Sequence, residues 1–380
     1  MSRQARLTHL GIFSDLIDRV RFDVLKGTAQ ESGREIRGEI VRVLGVEPVT
    51  PPPADLRVES TWTNNGLHCE EISWSVGYGP RTFGWLLKPD GAYPLPGVLA
   101  LHGHDLVKWY GKEKIADGPG PASDSVRVLR DQLYEGRAFA NALALEGFVV
   151  LVHDVFLWGS RRFPMETIPQ TIHEFVNLWA AQEEIQTGHV PDAVERYNVA
   201  ARHHEHVVAK YCTVMGTSIT ALVSAEDRIA AAILRSRQEV DPARIGCAGL
   251  SGGGCRAALL QATCDFISAA VVVGMMTTYR HLLDRHVEPH TWMFFPPGLS
   301  SIADWPDLAA CRAPSPLLVQ YDRDDQLFSP EGMEAAHLRL KEHYSRSGNP
   351  EAYDGRFYPG PHKFDLAMQQ DAFAWLKRTL

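Results

Sequence analysis

The sequence predicts an α/β chain: a mostly parallel central sheet with helices on both faces, a helical N-terminal appendage and a lid insertion. Three observations predict it. Short, near-continuous apolar runs recur at residues 97–102, 147–153, 245–248, 269–273 and 316–320, and strands that are apolar on both sides belong to a sheet covered on both faces. Stretches of helical periodicity separate these runs. One run, 245–248, leads straight into a serine set among glycines and then into a helix.

Composition narrows the class. The chain has 380 residues, 45% hydrophobic and 22% charged, enough for one large core or two modest ones. A net charge of −8 with no Lys/Arg run argues against a nucleic-acid partner. No segment reaches the roughly 18 apolar residues of a membrane span, and the N-terminus shows no cleavable leader, so a cytoplasmic protein is expected. Cys69, Cys212, Cys247, Cys255, Cys264 and Cys311 lack metal-type spacing and read as reduced, buried thiols. Neither metal nor organic cofactor is expected.

Residues 1–52 read as the appendage. Apolar residues at helical spacing (Ile12, Leu16, Val20, Val24, Leu25) break at Gly27 and resume at Ile36, Ile40, Val41 and Leu44. Pro48 and Pro51–Pro53 suggest a hinge, and the helices are expected to pack on the core or to join two copies of the chain. Residues 53–380 read as the catalytic domain. From about Leu56 the pattern becomes strand-like, with HCEEISWSV, RTFGWLLKP and GVLALH each bounded by Gly, Pro or Asp. A lid is expected at about 158–215, with a helix near 182–185 and a long helix over 193–235.

The serine carries the chemistry. Gly249-Leu250-Ser251-Gly252-Gly253 between a strand and a helix is the pattern of a nucleophile elbow, where small neighbours permit a tight, strained turn. A serine hydroxyl needs a base, and the base needs a carboxylate to fix its tautomer. Downstream, PSPLLVQYDRDDQLF runs out of a strand into Asp322, Asp324 and Asp325, and His362 precedes the C-terminal helix. Asp325, followed by Gln326-Leu327-Phe328, is the preferred acid and Asp324 the alternative. Oxyanion donors are expected from the N–H of Gly252 and from His104 or Asp105 in the loop His102-Gly103-His104-Asp105. His102 is expected to buttress that loop by hydrogen bonding.

The runs LHGHDLVKWYGKEKI, GFVVLVHDVFLWGSRR, VDPARIGCAGLSGGG, DDQLFSPEGM and PGPHKFDLAMQQDAFAWL resemble bacterial α/β-hydrolases of the acetyl xylan esterase and dienelactone hydrolase type. The resemblance spans roughly residues 56–380 and implies an α/β-hydrolase fold with Ser251 as nucleophile, Asp325 as acid and His362 as base. Two departures stand out. Serine replaces the cysteine of a dienelactone hydrolase, and Asp105 stands where many relatives have glycine.

The expected activity is hydrolysis of a carboxylic ester through an acyl-enzyme, such as an acetyl ester of a sugar or secondary metabolite. Carbon–carbon cleavage of β-diketone-like substrates and peptide cleavage are the alternatives, and the partner is a small-molecule substrate. Trp109, Trp158 and Phe294 are expected to line the substrate pocket, among the aromatics Tyr110, Phe156, Trp292 and Phe295, with residues 290–298 as one wall. Asp154 with Arg161 and Arg162 reads as an Asp–Arg pair fixing a loop, or else as a substrate-carboxylate site. His203, His204 and His206 read as a solvated helix face, because their spacing does not converge on a metal.

Overall fold

The computed structural model describes residues 7–19, 33–46 and 55–380. Nine strands form one mixed sheet among them: β1 (Arg57–Asn64), β2 (Leu67–Trp74), β3 (Thr82–Pro89), β4 (Leu95–Leu101), β5 (Val149–His153), β6 (Val240–Leu250), β7 (Ile267–Val273), β8 (Leu317–Asp322) and β9 (Tyr353–Tyr358). Their order is β1-β2-β3-β5-β4-β6-β7-β8-β9. The pairings from β1 to β5 are antiparallel, and every pairing from β5 onward is parallel. The winding direction reverses at β4, which sits between β5 and β6, and ligands of open α/β sheets bind at the strand C-termini beside such a switch point.

Both sheet faces are buried, as the apolar runs require. Leu99 and Leu101 of β4 and Ile245 and Cys247 of β6 face one core, while Val98, Ala100, Ala248 and Leu250 face the other. The twelve helices of the described residues are α1 (Leu16–Arg19), α2 (Gly33–Val43), α3 (Asp124–Tyr134), α4 (Phe139–Leu145), α5 (Gln170–Thr187), α6 (Ala193–Val214), α7 (Ile219–Ser236), α8 (Gly252–Thr263), α9 (Tyr279–Leu282), α10 (Trp305–Ala310), α11 (Pro330–Arg346) and α12 (Leu366–Thr379). Helices α2, α7, α8, α10 and α11 cover the first core, and α3, α4 and α12 the second.

The sequence reading needs three adjustments here. The long helix expected over 193–235 is two helices, α6 and α7, bent by 87° where Gly216 adopts φ +74°. Neither is long and apolar enough to cross a membrane alone, nor is any other single helix among the described residues. Strand β1 is an exposed edge strand, RVESTWTN, whose polar composition hides it from an apolar pattern. In the N-terminal region, α2 buries Ile36 and Ile40 in the main core, joined by Leu44 just beyond its end, while Ile12 and Phe13 are exposed. Val20, Val24, Leu25, Gly27 and the proline hinge at Pro48 and Pro51–Pro53 fall outside the described residues.

Between β5 and β6 the chain inserts α5 and α6, which share a small core of their own. Ile168, Ile172 and Val176 pack against Tyr197, Ala200 and Ala201. Helix α6 begins at a capping box in which Asp192 accepts from the Glu195 N–H and Glu195 accepts from the Asp192 N–H.

Ile40 is fully buried, so Ile40→Ala removes core volume that α2 supplies to the sheet-covering layer. Chemical unfolding should show a loss of about 2–5 kcal/mol. A loss near zero would mean that α2 does not hold to the core in solution.

Candidate active site

The elbow is built by close approach. Ser251 links β6 to α8 with φ +59° and ψ −118°, a conformation that non-glycine residues adopt only under constraint. Its N–H is held by the Val273 carbonyl at 2.9 Å. A Cβ on Gly253 would stand 2.1 Å from the Leu101 carbonyl oxygen, and one on Gly252 would stand 2.7 Å from the His104 nitrogen. The first measurement explains why glycine follows the turn. The second places the His104 backbone nitrogen beside Gly252, the residue after Ser251; of His104 and Asp105, it is His104 that meets the elbow.

The acid–base partners converge as the chain order implies. His362 Nδ1 lies 2.6 Å from Asp325 Oδ2, and Asp325 Oδ1 accepts from the Leu327 N–H at 2.8 Å. With Nδ1–H donated to the carboxylate, Nε2 is left as the proton acceptor. Asp324 instead takes the Gly360 N–H at 2.8 Å, fastening the loop that carries His362. Asp322 accepts from the Lys363 N–H at 3.1 Å, and burial pushes its carboxyl up to about 7. Burial alone would lower the His362 pKa. The hydrogen bond and charge of Asp325, with the charges of Asp322 and Asp105, outweigh it and hold the imidazole above the ordinary histidine value.

Ser251, Gly252, His104, Asp105 and His362 line one cavity of about 750 Å³. Cys255, Met275, Phe294, Leu327 and Phe328 form an apolar wall next to Ser251. Toward α3 and the α5–α6 turn the lining is mixed, with Asp124, Ser125, Gln132, Asp192, Glu195 and Arg202 interspersed with Val128, Leu129, Leu133 and Val194. His290 also faces the cavity, stacked on Phe328 with ring centroids 4.8 Å apart; its burial pushes the imidazole down to about 4, so it stays neutral.

Of the three aromatic residues expected at the pocket, Phe294 lines it and two do not. Trp158 is buried behind the oxyanion loop, where its ring packs edge-on against His104 at 5.7 Å and its Nε1–H points to the His104 carbonyl at 3.4 Å. Trp109 packs edge-on against Tyr197 within the α5–α6 layer, with the Arg162 guanidinium stacked on it at 4.3 Å.

Other expectations are corrected by partner choice. Asp154 does not pair with Arg161; it takes the Lys112 ammonium at 3.0 Å and the N–H groups of Lys112 and Ser160. Arg161 pairs instead with Glu226 of α7 at 2.6 Å and is buried, so it is not available to a substrate carboxylate. The stretch His203–His206 is not a solvated face throughout, because His204 and Glu205 are buried. All six cysteines are free and buried. His102 does buttress the loop, its Nδ1 meeting the Gly103 carbonyl at 3.0 Å.

Several supporting residues carry no sequence motif. Lys114, fully buried, donates to the Gly103 carbonyl and to Val107 O at 3.2 Å, and pairs with Asp105 at 3.0 Å. Asp105 itself has φ +53°. It occupies the left-handed conformation that glycine would supply, which aspartate tolerates better than most residues, and Lys114 neutralises its buried charge. Arg256 of α8 grips Asp227 through Nη2 at 2.6 Å and donates to the His102 carbonyl at 3.0 Å, joining the elbow helix to the oxyanion loop.

No family model matches the chain. In sequence it is similar to the "Putative hydrolase YtaP" of Bacillus subtilis (strain 168), 23% identical over 91% of this chain and 99% of that one. In structure it is similar to a "putative acetyl xylan esterase" from Bacteroides fragilis NCTC 9343, with TM-score 0.63 and 16% identity over 86% of this chain and 74% of that one. A glucuronoyl esterase from Solibacter usitatus superposes with TM-score 0.60 and 14% identity, over 90% and 92% of the two chains.

Replacing Asp325 by Asn should lower kcat by about 10³- to 10⁴-fold, because the imidazole loses its tautomer lock. Asp324→Asn should stay within about threefold of wild type, its role being confined to the loop. Equal losses in steady-state assays of the two variants would contradict this assignment. The mixed sheet, the elbow after β6 and the structural neighbours together identify the fold of this chain as that of the α/β-hydrolases.

Proposed function

We propose that this chain hydrolyses carboxylic esters through Ser251, His362 and Asp325. The observation that carries the reading is the convergence on one cavity of a strained elbow serine and a histidine held by a buried aspartate. His362 Nε2 takes the Ser251 proton as Oγ attacks the ester carbonyl. The tetrahedral oxyanion is met by the N–H groups of Gly252 and His104. His362 then returns the proton to the departing alcohol, and a water activated by the same nitrogen releases the acid. Side chains and water handle every proton in this sequence.

The cavity suggests how the two halves of the ester divide. The wall of Cys255, Met275, Phe294 and Phe328 suits a small apolar acyl group. The side toward α3 alternates Asp124, Ser125 and Gln132 with Val128, Leu129 and Leu133, a mixed lining that suits an alcohol with both hydroxyl groups and apolar ring faces. An acetyl or similarly short ester of a sugar or of a polar secondary metabolite fits this division. The structural neighbours support an ester substrate by name, but they are named for different esters, so the acyl group is read from this cavity.

The decisive experiment combines fluorophosphonate labelling with turnover of 4-nitrophenyl acetate. Wild type should label at Ser251 and turn the ester over, and Ser251→Ala should lose both, with turnover down by at least about 10⁴-fold. Labelling without ester turnover would redirect the triad to carbon–carbon or peptide bonds, and a fully active Ser251→Ala would end the serine mechanism.

The raised pKa of His362 sets the pH dependence. The base works only when neutral, so kcat/KM should fall as pH drops through a midpoint above the ordinary histidine value of about 6.5. In Asp325→Asn the carboxylate charge is gone, and the acidic limb should move to lower pH. A wild-type midpoint below the ordinary histidine value, or one that Asp325→Asn leaves unmoved, would contradict the raised pKa and its assignment to Asp325.

A further inference from the structure

The inserted helix α6 reaches under the oxyanion loop with a buried carboxylate. Glu205 accepts at Oε2 from the Lys108 ammonium and meets His104 Nε2 at 3.2 Å. At Oε1 it accepts from the Thr291 hydroxyl and from the Trp292 N–H at 2.8 Å. The other ring nitrogen of His104, Nδ1, accepts from the Leu106 N–H at 3.3 Å. With Nδ1 taken up by the Leu106 N–H, Nε2–H is the donor aimed at Glu205, and the ring cannot turn without breaking both contacts. The same helix holds the N–H groups of Lys108 and Trp109 with Asn198 Oδ1, at 2.9 and 3.0 Å.

We propose that Glu205 is a positioning residue for ester hydrolysis: acting through the His104 side chain, it fixes the backbone N–H that completes the oxyanion hole. The argument rests on the serine-esterase reading given above. The loop needs such a clamp because Asp105 and Leu106 both have positive φ, +53° and +54°. A strained backbone keeps its donors aimed only where surrounding contacts over-determine it. Lys114 secures the carbonyls of Gly103 and Val107 from one side, and Trp158 covers the His104 carbonyl. The imidazole of His104 is the remaining handle, and Glu205 holds it. Through Thr291 and Trp292, Glu205 also ties this loop to the segment that places Phe294 in the acyl wall.

The test is a double-mutant cycle on kcat, measured with 4-nitrophenyl acetate per site titrated by fluorophosphonate, with Ser251→Ala as control. Glu205→Gln and His104→Ala should each lower kcat by about 10- to 100-fold, less than outright loss of an oxyanion donor, with KM changed by less than about threefold. The double variant should lose no more than the worse single variant, because both break one linkage. A purely structural role would lower the melting temperature and leave kcat per titrated site within about twofold of wild type, which overturns the proposal. Losses that multiply in the double variant overturn it as well.

His104→Ala leaves the Lys108–Glu205 pair intact and is expected to fold. If Glu205→Gln does not fold, Glu205→Gln with Lys108→Met replaces it in the cycle, since removing both buried charges together is far milder than stranding one. An active Ser251→Ala would bring down the serine mechanism and this proposal together. An inactive Ser251→Ala with a multiplicative cycle would bring down this proposal alone.

Discussion

A methyl group at Gly253 would sit 2.1 Å from the Leu101 carbonyl oxygen, and one at Gly249 would sit 2.6 Å from the same atom. Any larger side chain at either position pushes the end of β4 away from the turn after β6. That contact joins two loops with different tasks. The loop after β4 carries the His104 N–H, and the turn after β6 carries Ser251. In the serine mechanism proposed above, their spacing sets the distance between nucleophile and oxyanion donors, on which hydrolysis depends most steeply. The β4–β6 register, with Leu101 opposite Gly249, places the two ends level. The apolar layers on both faces then hold the strands in that register, because a one-residue slip would exchange the sides of Leu99 and Ala100.

The parts of the site that were legible in the sequence are those whose chemistry demands particular residues close together in the chain. The elbow needs glycines within two residues of the serine, and His362, the proposed base, sits in a turn just before a helix, so both carry a local signature. Asp325 was distinguishable from Asp324 only weakly by its apolar successors. The structure brings Asp325 to His362 and gives Asp324 a backbone partner instead. Where pairing is long-range, nearness in sequence misled. Asp154 and Arg161 look like partners, yet each is satisfied by a residue far along the chain, Lys112 and Glu226.

Buried lysines explain most of what was missed. Lys108, Lys112 and Lys114 in the run KWYGKEK look like a solvated surface stretch, since lysine is rarely buried. All three are buried, each against a carboxylate. Glu205 escaped notice for the same reason, lying in a polar helix whose charges read as solvent-facing. No local pattern marks the burial of Lys108 and Lys112, whose carboxylate partners lie 97 and 42 residues along the chain. Trp158 and Trp109 were misplaced by a related assumption, that aromatics near the site must touch substrate. Both pack behind the loops that form it.

This placement of charge bears on how the insertion behaves. A flap that opens freely is held by few contacts, which exchange with water at little cost. Helix α6 is held differently. Drawing it off the oxyanion loop would strip Glu205 from Lys108, His104, Thr291 and Trp292 at once. A lone buried ammonium or carboxylate costs several kcal/mol, far more than a loosened apolar contact. The helix is thus a wall of the site, fixed to the loop whose His104 N–H is the proposed oxyanion donor. Such rigidity suits a hole that must be aimed before charge develops, since reorganising it during reaction would forfeit much of its value.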